Sequence, residues 1–473
     1  MEPIKTELVV VGAGPGGYAA AFYAADCGKQ VILVEREPRL GGVCLNRGCI
    51  PSKALLHAAE TITVSREAAH MGLSFAAPQV DLAKLRAWKE SILQRLGNGV
   101  AQLAQKRNVR VLAGRGHFED SHMLRVETAS GQQFVQFEHA IIATGSKAAM
   151  PKVFDLGNPR IMTSTEALEV EEVPKKLLVI GGGYIGMELG TVYAALGSEV
   201  VVVEALDNIL TGADPDLARP IAARARQNFK EIRVKAKVLG MATKGHQIKV
   251  DIEFEGQKLE ELYDRVLVAV GRVPNGDDLG LQNTKAPRDE KGFVVVDEMQ
   301  RTDDPAIFAI GDIAGGVLLA HKATREGRIA VEAILGEEGT IPEFIIPAVV
   351  FTDPELAWCG LTEAEARQKG IPVEVAKFPW AASGRALTFD RPDGMTKLVI
   401  DPATERVLGV GIVGHGAGEL IAEGVVALEM GATAKDLALA VHPHPTLSET
   451  IMECAEVFYG HATHTIARKR PEQ

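Results

Sequence analysis

Two cysteines near the start of the chain have the spacing and the neighbours of a redox pair. Cys44 and Cys49 lie in the segment GGVCLNRGCIPSK, residues 41–53. In a regular helix, Cα atoms five residues apart would be separated by about 8 to 9 Å, which exceeds the roughly 4.4 to 6.8 Å that a disulfide spans. We therefore expect the backbone to bend between the two thiols, and Gly48 permits such a bend. Pro51 suits the first turn of a following helix, whose positive end would stabilise a thiolate.

The number of cysteines favours catalysis over a structural disulfide framework. Five cysteines occur among 473 residues, at positions 27, 44, 49, 359 and 454. A small secreted scaffold would have a denser, even-numbered set. A close pair in a reducing compartment is more often catalytic than structural. Exchange between a dithiol and a disulfide is therefore the chemistry that Cys44 and Cys49 predict.

A histidine near the carboxyl end could supply the base that this exchange requires. A dithiol must lose a proton near neutral pH before it attacks a disulfide, and imidazole is best matched to that transfer. His444 is the candidate base, and Glu449, five residues later, could orient its ring. His442 would have a supporting role. His461 and His464 lack partner ligands at metal-binding spacing, so no metal site is predicted.

Two glycine-rich turns predict two dinucleotide-binding sites. Each turn follows an apolar strand and opens a helix, and its glycines are Gly12, Gly14 and Gly17 in the first case and Gly181, Gly183 and Gly186 in the second. Such turns let the backbone approach a pyrophosphate and direct a helix N-terminus at its charge. The next strand ends in an acid each time, Glu35 or Glu204, which could accept hydrogen bonds from ribose hydroxyls. FAD and NAD are the expected pair of dinucleotides.

The second acid also predicts which nicotinamide cofactor is used. A carboxylate at the ribose would repel the 2′-phosphate of NADP. The residues after Glu204, Ala205-Leu206-Asp207, offer no arginine that could bind that phosphate. The sequence therefore favours NAD.

The composition is that of an ordinary globular protein of several domains. Hydrophobic residues make up 46% and charged residues 24% of the chain. The formal net charge of −11 provides no broad positive field for nucleic acid or anionic lipid. No apolar run approaches the roughly 20 residues that span a bilayer, and strand-like Leu8 begins too early for a signal peptide. We therefore expect a soluble, cytoplasmic protein without nucleic-acid or membrane partners.

Six motifs along the chain resemble those of one enzyme family, the class I pyridine nucleotide-disulfide oxidoreductases. Besides the cysteine segment, the motifs are GAGPGG at 12–17, ATG at 143–145, GGGYIG at 181–186, GRVPN at 271–275, AIGD at 309–312 and HPHPTLSE at 442–449. The resemblance extends over essentially the whole chain and is greatest to the members that oxidise dihydrolipoamide. Pro443 departs from the pattern, in which a small residue such as alanine is more usual.

The resemblance implies roles for individual residues. Cys44 would be the outer thiol that exchanges with substrate, Cys49 would face the flavin, and Lys53 and Glu188 would form an ion pair beside the flavin's reactive edge. Further FAD contacts would come from Gly42, Lys53, Gly116, Thr144, Gly145, Asp312 and Ala320. Further NAD contacts would come from Val238 and from residues 269–272, including Gly271 and Arg272.

The resemblance also implies an activity and an assembly. The protein would oxidise protein-bound dihydrolipoamide to lipoamide with NAD⁺ as acceptor. It would act as a homodimer in which His444 and Glu449 of one chain complete the site around Cys44 and Cys49 of the other. Its partners would be the lipoyl domains of 2-oxoacid dehydrogenase acyltransferases or the glycine-cleavage carrier protein.

The pattern of elements predicts an α/β fold with two Rossmann-like dinucleotide-binding domains plus a C-terminal α+β dimerisation domain. The predicted boundaries are 1–149 for the FAD-binding domain, 150–275 for the NAD-binding domain, 276–346 for a central domain that completes the FAD site, and 347–473 for the dimerisation or interface domain. Helices are expected over 52–69, 80–106 and 418–430, whereas 151–174 is expected to be a linker.

The sequence fits three related enzymes and a non-catalytic flavoprotein less well. Glutathione reductase should favour NADP and need cationic contacts to its charged substrate, so Glu204 argues against it. Mercuric reductase would carry another cysteine pair near the carboxyl end, where Cys454 stands alone, and a small thioredoxin reductase would carry a Cys-x-x-Cys motif. A non-catalytic flavoprotein would have no need of both cysteines together with His444 and Glu449.

Overall fold

The first glycine-rich turn lies within a seven-stranded sheet. The computed structural model describes residues 2–337 and 344–466. Strands β1 (Ile4–Val11), β2 (Val31–Glu35), β3 (Arg110–Ala113), β4 (Arg115–Asp120), β5 (Met123–Thr128) and β6 (Gly131–Ile142) follow the order β3-β2-β1-β6-β5-β4, and β17 (Ile307–Ala309) pairs with β6. Helices α1 (Pro15–Asp26), α2 (Gly42–Arg47), α3 (Cys49–Glu67) and α4 (Leu82–Lys106) connect these strands.

The central strand of this sheet is buried on both faces. Strand β1 is parallel to both β2 and β6. Val9 and Val11 belong to one apolar cluster, whereas Leu8 and Val10 belong to another. Successive side chains of a strand point to opposite faces, so an uninterrupted apolar run fits a strand covered on both sides. β1 is thus a buried central strand, and its carboxyl end leads directly into the first glycine-rich turn.

A second sheet surrounds the second glycine-rich turn. Strands β8 (Ile161–Met162), β9 (Lys176–Ile180), β10 (Glu199–Val203), β11 (Glu231–Arg233) and β15 (Arg265–Val268) form it in the order β11-β10-β9-β15-β8. Helices α5 (Ser164–Ala167), α6 (Tyr184–Leu196) and α7 (Pro215–Asn228) accompany it, together with an antiparallel sheet of β12 (Lys237–Lys244), β13 (Gln247–Phe254) and β14 (Gln257–Tyr263). The expected linker over 151–174 is therefore wrong in part, because β8 and α5 lie inside it.

A short strand pair connects the two sheets, and a later helix packs against the first one. Strand β7 (Ser146–Ala148), which follows the first sheet, pairs with β16 (Arg272–Pro274), which follows the second. Helix α8 (Ala320–Ile334) returns to the first sheet and packs on α1. Gly16 of α1 allows this approach, since a Cβ atom there would lie 2.9 Å from the carbonyl oxygen of Ala323. Residues after the second sheet thus contribute to the walls around the first turn.

The carboxyl-terminal part is an antiparallel sheet covered by helices. Strands β18 (Ala348–Val350), β19 (Glu355–Gly360), β20 (Glu374–Pro379), β21 (Met395–Ile400) and β22 (Val407–Gly414) follow the order β18-β19-β22-β21-β20. Helices α9 (Glu363–Lys369), α10 (Gly384–Thr388), α11 (Ala417–Glu429), α12 (Ala434–Leu439) and α13 (Glu449–Tyr459) complete it. The predicted fold class is confirmed. Within residues 2–337 and 344–466, no helix is long and apolar enough to cross a membrane.

Candidate active site

The two cysteines lie at a junction between two helices. Cys44 is inside α2, Cys49 begins α3, and Gly48 separates them with φ −147° and ψ −107°. A Cβ atom at Gly48 would lie 3.0 Å from the carbonyl oxygen of Val43, so a larger residue would crowd the bend. The break in the helix brings the thiols into hydrogen-bond contact. The predicted bend between the cysteines is confirmed.

The two thiols differ in acidity. The hydrogen bond from Cys44, together with the nearby Lys53 ammonium, lowers the pKa of Cys49 to about 7 despite its burial. The same hydrogen bond, burial and the charge on Cys49 raise the pKa of Cys44. Near neutral pH the pair therefore holds one thiolate, at Cys49, and one neutral thiol, at Cys44.

A partly buried ion pair lies next to the thiols. Lys53 Nζ lies 2.9 Å from Glu188 Oε2 and 3.2 Å from Oε1, and Glu188 is buried in α6 of the second sheet. Phe351, which sequence reasoning did not identify, supports both partners. Its amide donates to Glu188 Oε1 at 3.0 Å, and its ring centroid lies 4.3 Å from Lys53 Nζ. No motif marks Phe351, because its role depends on the contact between the carboxyl-terminal sheet and α3.

The first glycine-rich turn and the thiols line one cavity. Its walls include all of the residues assigned to FAD from the sequence: Gly12, Gly14, Gly17, Glu35, Gly42, Lys53, Gly116, Thr144, Gly145, Asp312 and Ala320. Gly12 has φ +104°, and a Cβ atom there would overlap the carbonyl oxygen of Ala143. A Cβ atom at Gly42 would lie 2.6 Å from Gly14 Cα. The cavity therefore has a floor of backbone that only glycine can form.

The acid at the end of β2 is held by backbone amides. Glu35 Oε2 accepts from the Ala13 amide at 2.8 Å, and Oε1 accepts from the Glu37 amide at 2.9 Å. Helix α1 begins after Gly14, and no described side chain caps it. Its first amides therefore face the cavity as donors for an anionic group.

The second turn repeats this arrangement. Glu204 Oε2 accepts from the Gly182 amide at 2.6 Å, and Oε1 accepts from the Leu206 amide at 2.8 Å. Gly183 precedes α6, whose start is likewise uncapped in the part of the chain that the structure describes. Gly181 has φ +107°, and a Cβ atom at Gly186 would overlap the Gly181 carbonyl oxygen. The two turns are therefore built alike.

The remaining residues assigned to NAD do not all lie at the second turn. Val238 lies half-buried at the start of β12, and Gly271 lies in the loop after β15 with φ +130°. The Arg272 side chain turns towards the first cavity, where Nε donates to Ser146 Oγ at 2.7 Å and Nη2 donates to the Ser146 carbonyl at 2.8 Å. The structure therefore places the Arg272 guanidinium with the FAD group of residues, because β16 crosses over to β7.

His444 and Glu449 form a hydrogen-bonded pair at the start of α13. His444 Nδ1 lies 2.8 Å from Glu449 Oε1, and the Thr446 amide donates to Oε2 at 2.7 Å. Burial raises the pKa of Glu449, but these two hydrogen bonds outweigh it and hold that pKa below its usual value. Glu449 thus remains ionised. It holds the His444 ring at Nδ1, so that Nε2 lies on the side of the ring opposite Glu449.

His444 is exposed, and the pair does not lie with the thiols of its own chain. The His444 side chain is 72% exposed. In the described part of the chain, neither His444 nor Glu449 belongs to the walls of the cavity that contains the cysteines. His442 is held elsewhere, by Glu423 at 2.7 Å. One subunit therefore does not bring base and thiols together.

A hydrogen-bonded thiol pair between two dinucleotide-type turns defines a disulfide oxidoreductase. The model of the pyridine nucleotide-disulphide oxidoreductase family matches residues 6–327, and that of the family's dimerisation domain matches 346–455. The chain belongs to the pyridine nucleotide-disulphide oxidoreductase family. This membership confirms the predicted FAD and NAD cofactors. The matched dimerisation domain supports a homodimer.

Similar proteins with curated names are dihydrolipoyl dehydrogenases. The chain is 47% identical to the one from Vibrio parahaemolyticus, with 97% of each chain covered. It is 46% identical to the one from Haemophilus influenzae, over 99% of this chain and 98% of the other. The predicted resemblance is confirmed.

Solved structures share the fold. LpdA from Mycobacterium tuberculosis matches with a TM-score of 0.89 and 27% identity, over 96% of this chain and 99% of the other. The HOCl-induced flavoprotein disulfide reductase RclA from Escherichia coli, solved as a Cu(II) complex, matches with a TM-score of 0.86 and 29% identity, over 97% and 100%.

Proposed function

We propose that the protein is a homodimeric, FAD-dependent enzyme that oxidises protein-bound dihydrolipoamide to lipoamide with NAD⁺. The observation that carries the proposal is the Cys44–Cys49 pair, which is hydrogen-bonded and lies in the wall of the cavity formed by the first glycine-rich turn. The names of the curated relatives support the substrate. They do not favour glutathione reductase, and the carboxylate of Glu204 at the second turn argues against it as well.

The thiol chemistry begins with the oxidised Cys44–Cys49 disulfide. His444 of the partner subunit accepts a proton from one substrate thiol at Nε2, while Glu449 holds Nδ1 and stabilises the imidazolium. The substrate thiolate attacks Cys44 Sγ, the bond between the two cysteines breaks, and its electron pair leaves on Cys49. The low pKa of Cys49, about 7, makes it the better leaving group.

The second substrate thiol completes the exchange. The imidazolium of the partner subunit's His444 first releases its proton to solvent and then accepts the proton of the second thiol. The resulting thiolate attacks the substrate sulfur bound to Cys44, which closes the disulfide of lipoamide and releases Cys44 as a thiolate. Cys44 takes a proton from His444, because its own pKa is raised. The substrate has lost two electrons and two protons, and the cysteine pair now holds both electrons.

The residues of the first cavity fit FAD. The backbone floor at Gly12 and Gly42, the uncapped start of α1 and the amide-held Glu35 suit a pyrophosphate and a ribose. When bound there, FAD would supply the two-electron redox chemistry that links the cysteine pair to NAD⁺. Lys53 and Glu188 provide a fixed charge pair beside the thiolate, and the second turn with Glu204 would hold the adenosine end of NAD.

The proposal also covers the domain boundaries and the partners. Residues 1–149 would bind FAD, 150–275 would bind NAD, 276–346 would complete the FAD site, and 347–473 would form the subunit interface. Protein partners would be lipoyl domains of 2-oxoacid dehydrogenase acyltransferases or of a glycine-cleavage carrier protein.

The proposal is tested by turnover of the purified FAD-loaded protein. We expect NADH formation from dihydrolipoamide and NAD⁺. We expect no oxidation of NADPH by oxidised glutathione at a comparable rate. Cys27→Ser, which removes an exposed thiol outside the cavity, is the matched control and should keep full activity. Cys44→Ser should lose it. Efficient glutathione reduction with no dihydrolipoamide turnover would overturn the proposal.

A further inference from the structure

A lysine lies beside the predicted ribose site of the second turn and is held by a carboxylate. Lys235 Nζ lies 3.3 Å from Asp207 Oδ2, and the two side chains are 67% and 75% exposed. The sequence between Glu204 and Asp207 offers no arginine, but Lys235 lies in the bend after the neighbouring strand β11, about 30 residues further along the chain. This edge of the sheet thus carries a cation that the residues directly after Glu204 do not indicate.

Backbone hydrogen bonds fix the pair relative to Glu204. The Leu206 amide donates to Glu204 Oε1 at 2.8 Å, and the Leu206 carbonyl accepts from the Lys235 amide at 2.9 Å. The Ala236 amide also donates to the Glu204 carbonyl at 2.9 Å. Asp207 and Lys235 therefore flank the residue that would bind the adenosine ribose.

The other nearby cation is differently placed. Arg233 ends β11 with its side chain 8% exposed, and its guanidinium is engaged by Glu231 at 2.6 Å and by Glu261 at 2.9 Å. Because Arg233 itself is buried, removing its guanidinium from those partners would leave its charge unpaired, which is costly. Lys235, in contrast, is exposed, and an exposed ion pair is weak enough to be exchanged for another anion.

We propose that Asp207 is a second determinant of cofactor specificity, which occupies Lys235 and so prevents it from binding a 2′-phosphate. The inference rests on the proposed function, since it concerns the nicotinamide site of that enzyme. A phosphate monoester carries about −1.5 to −2 charges near pH 7. Glu204 and Asp207 would both repel it, and Lys235 is neutralised by the second of them. Removal of the Asp207 charge leaves Lys235 free to donate a charge-assisted hydrogen bond.

The test compares two ligands that differ only in the 2′-phosphate and undergo no redox reaction. Binding of 5′-AMP and of adenosine 2′,5′-bisphosphate to the FAD-loaded dimer is measured by calorimetry for the wild type, Asp207→Asn, and Asp207→Asn combined with Lys235→Met. Asp26→Asn, which removes the carboxylate paired with half-buried Arg107, lies far from the second turn along the chain, has the same change in net charge and serves as control.

Asp207→Asn should bind the bisphosphate roughly threefold to tenfold more tightly than the wild type. The combined variant should lose this gain, Asp26→Asn should show none, and 5′-AMP affinity should be the same throughout, which reports an intact site. No gain in Asp207→Asn, or a gain that persists without Lys235, would overturn the inference. Dihydrolipoamide turnover by the wild type is measured separately, so a failure of the proposed function is distinguished from a failure of this inference.

Discussion

The chemistry at the residue scale depends on the difference between two cysteines of the same segment. Cys44 donates a hydrogen bond and stays protonated, whereas Cys49 accepts it and faces the Lys53 ammonium. The asymmetry arises from position, because Cys49 opens α3 one turn before Lys53, while Cys44 belongs to the preceding helix. In the proposed exchange, this asymmetry would present the outer sulfur to the substrate and place the better leaving group at the inner position.

The ionisation of Cys49 should therefore depend on pH and on Cys44. Since the pKa of Cys49 is lowered to about 7, the thiolate forms as pH rises through that value and is protonated below it. In the reduced protein with Cys27→Ser, alkylation of Cys49 should follow this profile. Cys44→Ser retains a donor and should leave the profile in place, whereas Cys44→Ala should move it towards the ordinary value of about 8.5. An unchanged profile in Cys44→Ala would contradict the role of the hydrogen bond.

Glu204 should set the preference for NAD over NADP. Its carboxylate is held between two backbone amides at the end of β10, where it would meet the adenosine ribose. Glu204→Gln removes the charge with little change of shape, so the ratio of kcat/KM for NAD⁺ and NADP⁺ should fall by about tenfold or more. Glu199→Gln, at the exposed start of the same strand, is the control. Equal use of both cofactors by the wild type would show that the preference is absent.

At the scale of elements, the sequence predicts the parts that repeat a local pattern. The two glycine-rich turns, the acids that follow them and the bend at Gly48 could be predicted because each depends on residues close along the chain. Phe351 and the orientation of Arg272 could not, because they depend on contacts between distant elements. The antiparallel sheet β12-β13-β14 is not predicted as a whole, because β12 and β14 have little apolar periodicity, although Ile248, Val250 and Ile252 alternate with polar residues along β13.

The first glycine-rich turn should tolerate no side chain at Gly12. Gly12→Ala combines an unfavourable positive φ with overlap on Ala143, whereas Gly28→Ala has the same kind of φ, +88°, with no described atom within 4 Å. Gly28→Ala should cost about 1 kcal/mol in the free energy of unfolding. Gly12→Ala should cost clearly more and should release FAD, as measured by thermal unfolding and flavin content. Equal behaviour of the two variants would contradict the role of close approach at Gly12.

At the scale of the whole molecule, we expect a single subunit to be incomplete. His444 is 72% exposed and, in the described part of the chain, does not line the cavity that contains the thiols. The same part of the molecule exposes large apolar side chains: Val426 at 62%, Met430 at 79%, Leu439 at 70% and Val441 at 98%. Apolar patches of this kind commonly mark protein interfaces. Both observations fit a dimer in which the second subunit supplies the base.

Mixed dimers should reveal whether the base acts across the interface. His444→Gln should lower turnover by roughly 10² to 10⁴, and Cys44→Ser should abolish it. In a hybrid of the two variants, one of the two sites receives both changes and the other receives neither. Co-assembly of the inactive chains should therefore restore activity. A hybrid no more active than its parents would show that each chain uses its own His444.

The central claim is that Cys44 and Cys49 carry electrons from a dithiol to the bound flavin. The most direct measurement is the visible absorbance of the FAD-loaded protein mixed anaerobically with dihydrolipoamide in the absence of NAD⁺. The flavin band should bleach or shift to the red in the wild type and in Cys27→Ser, and it should remain unchanged in Cys44→Ser, which still holds FAD. An unchanged spectrum in the wild type would contradict the account and would indicate a flavoprotein whose cysteines take no part in electron transfer.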